Sequence, residues 1–110
     1  MKPATWQTQL RKGVLEMVLL LLVEEKELYG YELVKRVRDI ADIETSEGTI
    51  YPILNRLSRD DFIQSRWIEQ EKGIPRKYYR ITAKGKEALD QMSVGWKTLV
   101  ESMNLLLERR

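Results

Sequence analysis

The sequence predicts a mainly α-helical α+β fold: a winged helix-turn-helix followed by one long C-terminal helix. Three stretches predict it. In Ser46–Leu57, Ile50, Ile53, Leu54 and Leu57 recur at i, i+3, i+4 and i+7, which stacks them on one side of a helix and leaves the other side polar. From Phe62 to Ile81 the period changes to two, around a turn holding Lys72-Gly73 and Pro75. After Thr82, Leu89, Met92, Trp96, Leu99, Met103 and Leu106 follow a 3-4 spacing, the seam of paired helices.

Each element can be justified in order. A first helix is expected from about Thr5 to Glu24, with Trp6, Leu10, Val14, Met17, Val18 and Leu21 on one stripe. Leu15, Leu19, Leu20 and Leu22 widen that stripe, so the C-terminal half must be buried. A charged turn, residues 24–27, leads to a second helix from near Tyr29 to about Ala41, whose inner side is Tyr31, Leu33, Val34, Val37, Ile40 and Ala41. Asp42 to Thr45 is a short linker, and Ser46 is a natural N-cap for the third helix, which ends near Asp60 or Asp61. Pro52 lacks an amide donor and presses on the carbonyl of Gly48, which should loosen or kink the first turn. Strands are expected at Phe62–Glu69 and Arg76–Ile81. Thr82 then caps a helix whose roughly 26 residues would span about 40 Å. That length exceeds what so small a domain can cover.

Composition narrows the function. A chain of 110 residues suits one domain, and 19 basic against 17 acidic residues leave a net charge of +2, so any positive surface is local. Cysteine and histidine are both absent. Disulfides, thiolate or imidazole metal sites and Cys–His or Ser–His nucleophiles are excluded with them, and neither a cofactor nor enzymatic activity is expected. The apolar run Val14–Val23 is broken by Glu16 and falls short of the ~20 residues of a membrane span. No secretion signal is recognisable, and a cytoplasmic location is expected.

The polar side of the third helix carries Thr49, Tyr51, Asn55, Arg56 and Arg59, groups able to meet phosphates or base edges of double-stranded DNA. An ordinary amphipathic surface helix is the alternative. Lys72, Arg76 and Lys77 of the hairpin would neutralise phosphates if it lies beside that helix, and otherwise belong to a solvated ribbon. The stripe on the last helix, if left in water, would forfeit roughly 1.5 to 3 kcal/mol for each large side chain. A partner helix is therefore implied, and the same helix or the first one of a second copy is expected to supply it.

Several local strings carry a resemblance. Leu28-Tyr29-Gly30-Tyr31-Glu32-Leu33, Glu47-Gly48-Thr49-Ile50-Tyr51-Pro52-Ile53-Leu54-Asn55-Arg56-Leu57 and Arg76-Lys77-Tyr78-Tyr79-Arg80-Ile81-Thr82, with Gly85 beyond, resemble the PadR-type bacterial transcriptional regulators, in particular the small members with one C-terminal helix. The similarity spans essentially the whole chain. It implies a homodimeric winged-helix repressor that binds a roughly palindromic operator and releases it when a planar aromatic or lipophilic small molecule binds. On that reading residues 1–81 form the DNA-binding unit and residues 82–110 the dimerisation helix of one compact whole. Tyr29, Tyr31, Lys72, Arg76 and Lys77 would grip the backbone, while Ser46, Thr49, Tyr51, Asn55 and Arg56 belong to the reading helix. Asn55 suits adenine and Arg56 guanine, although their late position also fits Arg56 and Arg59 to phosphate. Trp6, Leu10, Leu89, Met92, Trp96, Leu99, Met103 and Leu106 would meet the second copy. The resemblance also places a ligand-binding tryptophan at Trp96, with Met92, Ser93 and Val100 around it; the alternative is interface filler, since Trp96 also lies on the paired-helix stripe. A protein-interaction module and a ligand carrier that act without DNA are the competing readings.

Overall fold

The computed structural model describes residues 2–110; Met1, the first residue of the expected 1–81 unit, lies outside the described residues. The chain forms α1 (Pro3–Glu25), β1 (Leu28–Tyr29), α2 (Gly30–Asp39), α3 (Glu47–Arg59), β2 (Ile63–Ile68), β3 (Arg76–Ile81) and α4 (Ala83–Glu108). Pro3 begins α1, where a missing amide costs no helical hydrogen bond. Leu15, Leu19, Leu20, Leu22 and Val23 bury its C-terminal half, while Trp6 and Leu10 are exposed. Leu21, expected on the inner stripe, is exposed as well. A segment apolar nearly all round does not define its own rotation about the axis; the packing of α2 and α4 does.

β1 was not anticipated, being only two residues long and thus too short to show a period. It pairs antiparallel with β3 through Leu28↔Tyr79 and Tyr29↔Tyr78. β2 pairs with the other edge of β3, from Ile63↔Ile81 to Ile68↔Arg76, giving the sheet order β1-β3-β2. α2 opens at Gly30, and the Tyr29 amide donates to the Glu32 carboxylate at 3.2 Å. It closes two residues before the expected Ala41. Ile40, placed on the inner side from sequence, is 62% exposed because it lies past the last turn. The chain reverses at Asp42, with φ 53°, and it is Ile43 that returns to the core, its amide donating to the Val37 carbonyl at 3.3 Å.

Ser46 takes the N-cap position of α3 in an extended conformation, but its hydroxyl makes no cap bond and instead faces Thr49 Oγ1 at 3.5 Å. The loosened first turn expected from Pro52 is not seen. The Thr49 and Ile50 amides close that turn on the Ser46 carbonyl at 3.1 and 3.0 Å, and the helix runs unbroken through Pro52. Gly48 and Pro52 are both exposed, so water can serve the carbonyl that proline leaves free. At the other end Asp61 is left-handed, φ 61°, and the Asp61 and Phe62 amides donate to the Ser58 and Leu57 carbonyls at 3.1 and 3.0 Å. That pair of bonds is the helix stop in which glycine usually occupies the left-handed position.

Thr82 caps α4 as expected, its Oγ1 accepting from the Gly85 amide at 2.9 Å. The same hydroxyl donates to the Asp61 carbonyl at 2.6 Å, and the Thr82 amide donates to the Phe62 carbonyl at 3.0 Å. The first turns of α4 pack on the domain. Leu89, assigned from sequence to a contact with a second copy, is only 3% exposed inside its own chain's core. The 3-4 stripe therefore has two owners: its root belongs to the domain, and Trp96, Leu99, Met103 and Leu106 remain exposed beyond it. The molecule measures 58 × 32 × 21 Å.

Candidate nucleic-acid interface

The outer side of α3 and the β2–β3 hairpin form the two walls of a groove of about 710 Å³. Seven of the ten residues expected to touch DNA line it: Tyr29, Tyr31, Tyr51, Asn55, Lys72, Arg76 and Lys77. Arg76 and Lys77 are consecutive, so strand alternation sends them to opposite faces; both border the groove because they begin β3 where it leaves the loop. The Arg76 guanidinium lies 4.5 Å over the Tyr29 ring, which also meets Tyr78 at 5.4 Å between centroids. Lys77 Nζ stands 5.8 Å from the centroids of both Trp67 and Tyr79. Aromatic faces thus hold these cations, and among the described residues no carboxylate lies within ion-pair distance of either. Two other strand arginines are engaged elsewhere. Arg66 binds Glu27 through two bonds of 2.6 and 3.1 Å, and Arg80 donates to Gln64 at 3.1 Å.

Tyr51 crosses the groove floor against Gly30. A Cβ at position 30 would collide with the outer end of the Tyr51 ring, so any larger residue there would displace that ring. Burial, and then the Glu47 carboxylate, push the Tyr51 hydroxyl above its ordinary pKa. Burial and Tyr51 do the same for Tyr79. Both hydroxyls stay protonated at neutral pH and keep a hydrogen to donate.

Ser46 and Thr49 are not in this groove. They border a separate hollow with Thr8, Arg11 and Lys12 of α1, beside the start of α3. Arg11 and Lys12 were missed in the sequence because α1 reads as a core helix; their adjacency in its polar first half was the available sign. Trp67, on the hairpin wall, was also missed, because its place across the ladder from Lys77 is set by the hairpin register and not by the strand period. Arg56 differs most from expectation. Its guanidinium is bound by the Glu16 carboxylate of α1, so the charge intended for guanine or phosphate is already partnered.

A second groove, about 540 Å³, runs between α1 and α4. Leu10, Met92, Trp96 and Leu99 line it, with Gly13, Val14, Met17 and Gly95. It does not take in Ser93, Val100, Trp6, Met103 or Leu106. Its size falls within the range of small-molecule sites. Among the described residues no group of side chains is arranged to hold a metal ion, and no helix is long and apolar enough to cross a membrane.

Three helices around a three-stranded sheet, a polar helix face beside a basic hairpin and one long terminal helix define a winged helix-turn-helix protein. Residues 18–91 match the transcriptional regulator PadR-like family, and the chain belongs to it. Solved relatives agree over most of the length. A PadR family transcriptional regulator from Eggerthella lenta is 34% identical, with a TM-score of 0.89 over 97% of this chain and 93% of its own. A PadR-like transcriptional regulator from Bacillus cereus is 37% identical, with a TM-score of 0.80 over 90% and 96%. PadR of Bacillus subtilis, solved in complex with operator DNA, is 28% identical with a TM-score of 0.69; the match covers 74% of this chain and 47% of that longer protein.

Proposed function

We propose that this chain is a cytoplasmic, DNA-binding repressor that acts as a homodimer on a palindromic operator and is released by a planar aromatic or lipophilic compound. The observation that carries DNA binding is the groove in which Tyr51 and Asn55 of α3 stand opposite Lys72, Arg76 and Lys77. Those groups combine backbone neutralisation with hydrogen bonding to base edges, the two requirements of sequence-specific recognition. The Bacillus subtilis relative with operator DNA supports the same reading. Asn55 reads a base; Tyr29, Tyr31, Lys72, Arg76 and Lys77 fix register; Ser46 and Thr49 meet an adjoining phosphate.

Residues 1–81 do the reading, and residues 82–110 pair two copies so that their α3 helices meet successive major grooves, roughly 34 to 36 Å apart. The exposed apolar residues of α4 beyond Leu89, together with Trp6 and Leu10, supply that interface. Met92 and Trp96 of the α1–α4 groove hold the compound, with Ser93 and Val100 closing on it from the dimer side. Its effect follows mass action: the compound weakens operator binding to the extent that it prefers the unbound arrangement.

Selection of duplexes from random DNA by the full chain, followed by titration at two salt concentrations, tests this. The expected result is a two-fold symmetric consensus whose affinity falls steeply with salt. Binding that ignores sequence and salt, or quenching of Trp96 by a planar dye with no change in DNA affinity, would favour the competing interaction-module or carrier readings.

A further inference from the structure

The hairpin tip carries a feature that phosphate neutralisation does not use. Ile74 is 84% exposed, the most exposed large apolar side chain among the described residues, and Trp67 on the wall below it is 68% exposed. Pro75 restrains one side of the tip. Gly73 is left-handed at φ 96°, and Pro75 restricts Ile74 to extended conformations while fixing its own φ. The acidic residues of the loop, Glu69 and Glu71, do not line the groove toward α3, whereas Lys72, Arg76 and Lys77 do. An exposed apolar side chain therefore stands in sequence between Lys72 and Arg76, at the rim of the groove beside the helix face assigned above to the major groove.

We infer that Ile74 is a wedge for the DNA minor groove, entering between base pairs and bending the duplex while Lys72 and Arg76 hold the phosphates on either side. The inference rests on the proposed function and adds to it a mode of contact and a preference. Charge selects the occupant: a loop whose apolar tip is flanked on the α3 side by cations matches a polyanion lined with stacked bases better than an apolar protein surface. Apolar wedges of this type unstack a step and bend DNA by roughly 20 to 90°. Flexible pyrimidine–purine steps yield most readily, so the wedge gives sequence preference at positions outside those read by α3.

The test uses the full chain and an end-labelled duplex recovered by the selection described above, with energy transfer between the ends reporting the bend. Wild type is expected to shorten the end-to-end distance. Ile74→Ser, whose side chain supports nothing in the fold, should bind within about tenfold of wild type and leave the duplex straight. Ile74→Leu should restore the bend. A straight duplex with wild type, or an undiminished bend with Ile74→Ser, overturns the wedge and leaves the regulator standing. Failure of the chain to bind any duplex overturns both.

Discussion

Gly85 separates what a single residue does here from what its residue type suggests. A Cβ at this position would collide with the Phe62 carbonyl and come within 2.8 Å of Ile81 Cγ1, neither of which can move without opening the junction of β3 and α4. Gly85→Ala is expected to destabilise the chain by about 3 kcal/mol or more, read as a lowered urea midpoint at unchanged slope. Asp61 is the converse. Its left-handed φ of 61° burdens an L side chain, so Asp61→Gly should gain up to about 1 kcal/mol, provided the carbonyl that receives Thr82 is undisturbed. Glu27 adds a dependence on pH. The Arg66 hydrogen bond holds its carboxyl below the ordinary value of 4.5, so the ion pair contributes stability above that value and loses it as pH falls through the depressed pKa. Glu27→Gln should therefore lower stability at neutral pH, change it little below the depressed pKa, and so flatten the acid side of a stability-against-pH profile. Little of this was visible in the sequence. Asp42 and Asp61 carry no mark of a left-handed backbone, and Arg56 gave no sign of its pairing with Glu16, 40 positions away, because that contact depends on how α1 crosses α3.

Elements were more legible than residues. β3 has the limits its alternation predicted, Arg76–Ile81, and Thr82 marked the start of α4, because local patterns with local causes survive folding. The errors came where tertiary packing decides: the rotation of α1, which exposes Leu21; the early end of α2, which exposes Ile40; and the two-residue β1. The groove between α3 and the hairpin was foreseen as a pairing of elements, whereas the separation of Ser46 and Thr49 toward Arg11 and Lys12 was not. The two walls should respond differently to substitution. Asn55→Ala is expected to cost about 1 to 3 kcal/mol on the selected duplex and to relax preference at one position. Lys72→Ala should weaken all duplexes alike and reduce the salt slope by about one. Arg56→Ala, with its charge already taken up by Glu16, should affect operator affinity less than Asn55→Ala in the same gel-shift titration.

At the scale of the molecule, the dominant feature is the apolar surface left on α4. Leu99, Met103 and Leu106 are all about half exposed and fall at 3-4 spacing along one side of the helix, a row of large apolar groups left in water. Sedimentation is expected to give a dimer at micromolar concentration. Leu99→Glu together with Leu106→Glu should yield a folded monomer, since neither residue supports the core, and this monomer should lose most operator affinity because two linked half-sites become one. A monomeric wild-type chain would contradict the assignment of this stripe. Leu89 shows why the sequence overstated the contact: one periodic stripe on one helix is shared between the chain's own interior and its outside, and spacing alone cannot show where the division falls.

Thr82 ties the last carbonyls after α3 to the first turn of α4 through three hydrogen bonds. Such a knot makes the long helix a lever fixed at the reading end. Over its length, about 39 Å for 26 residues, a tilt of roughly 5° at the root carries the tip about 3 Å, and a push at the tip is returned to α3 as rotation. In the proposed dimer, anything that shims the seam between two such arms would therefore change the pitch at which the pair of α3 helices sits, without touching either one.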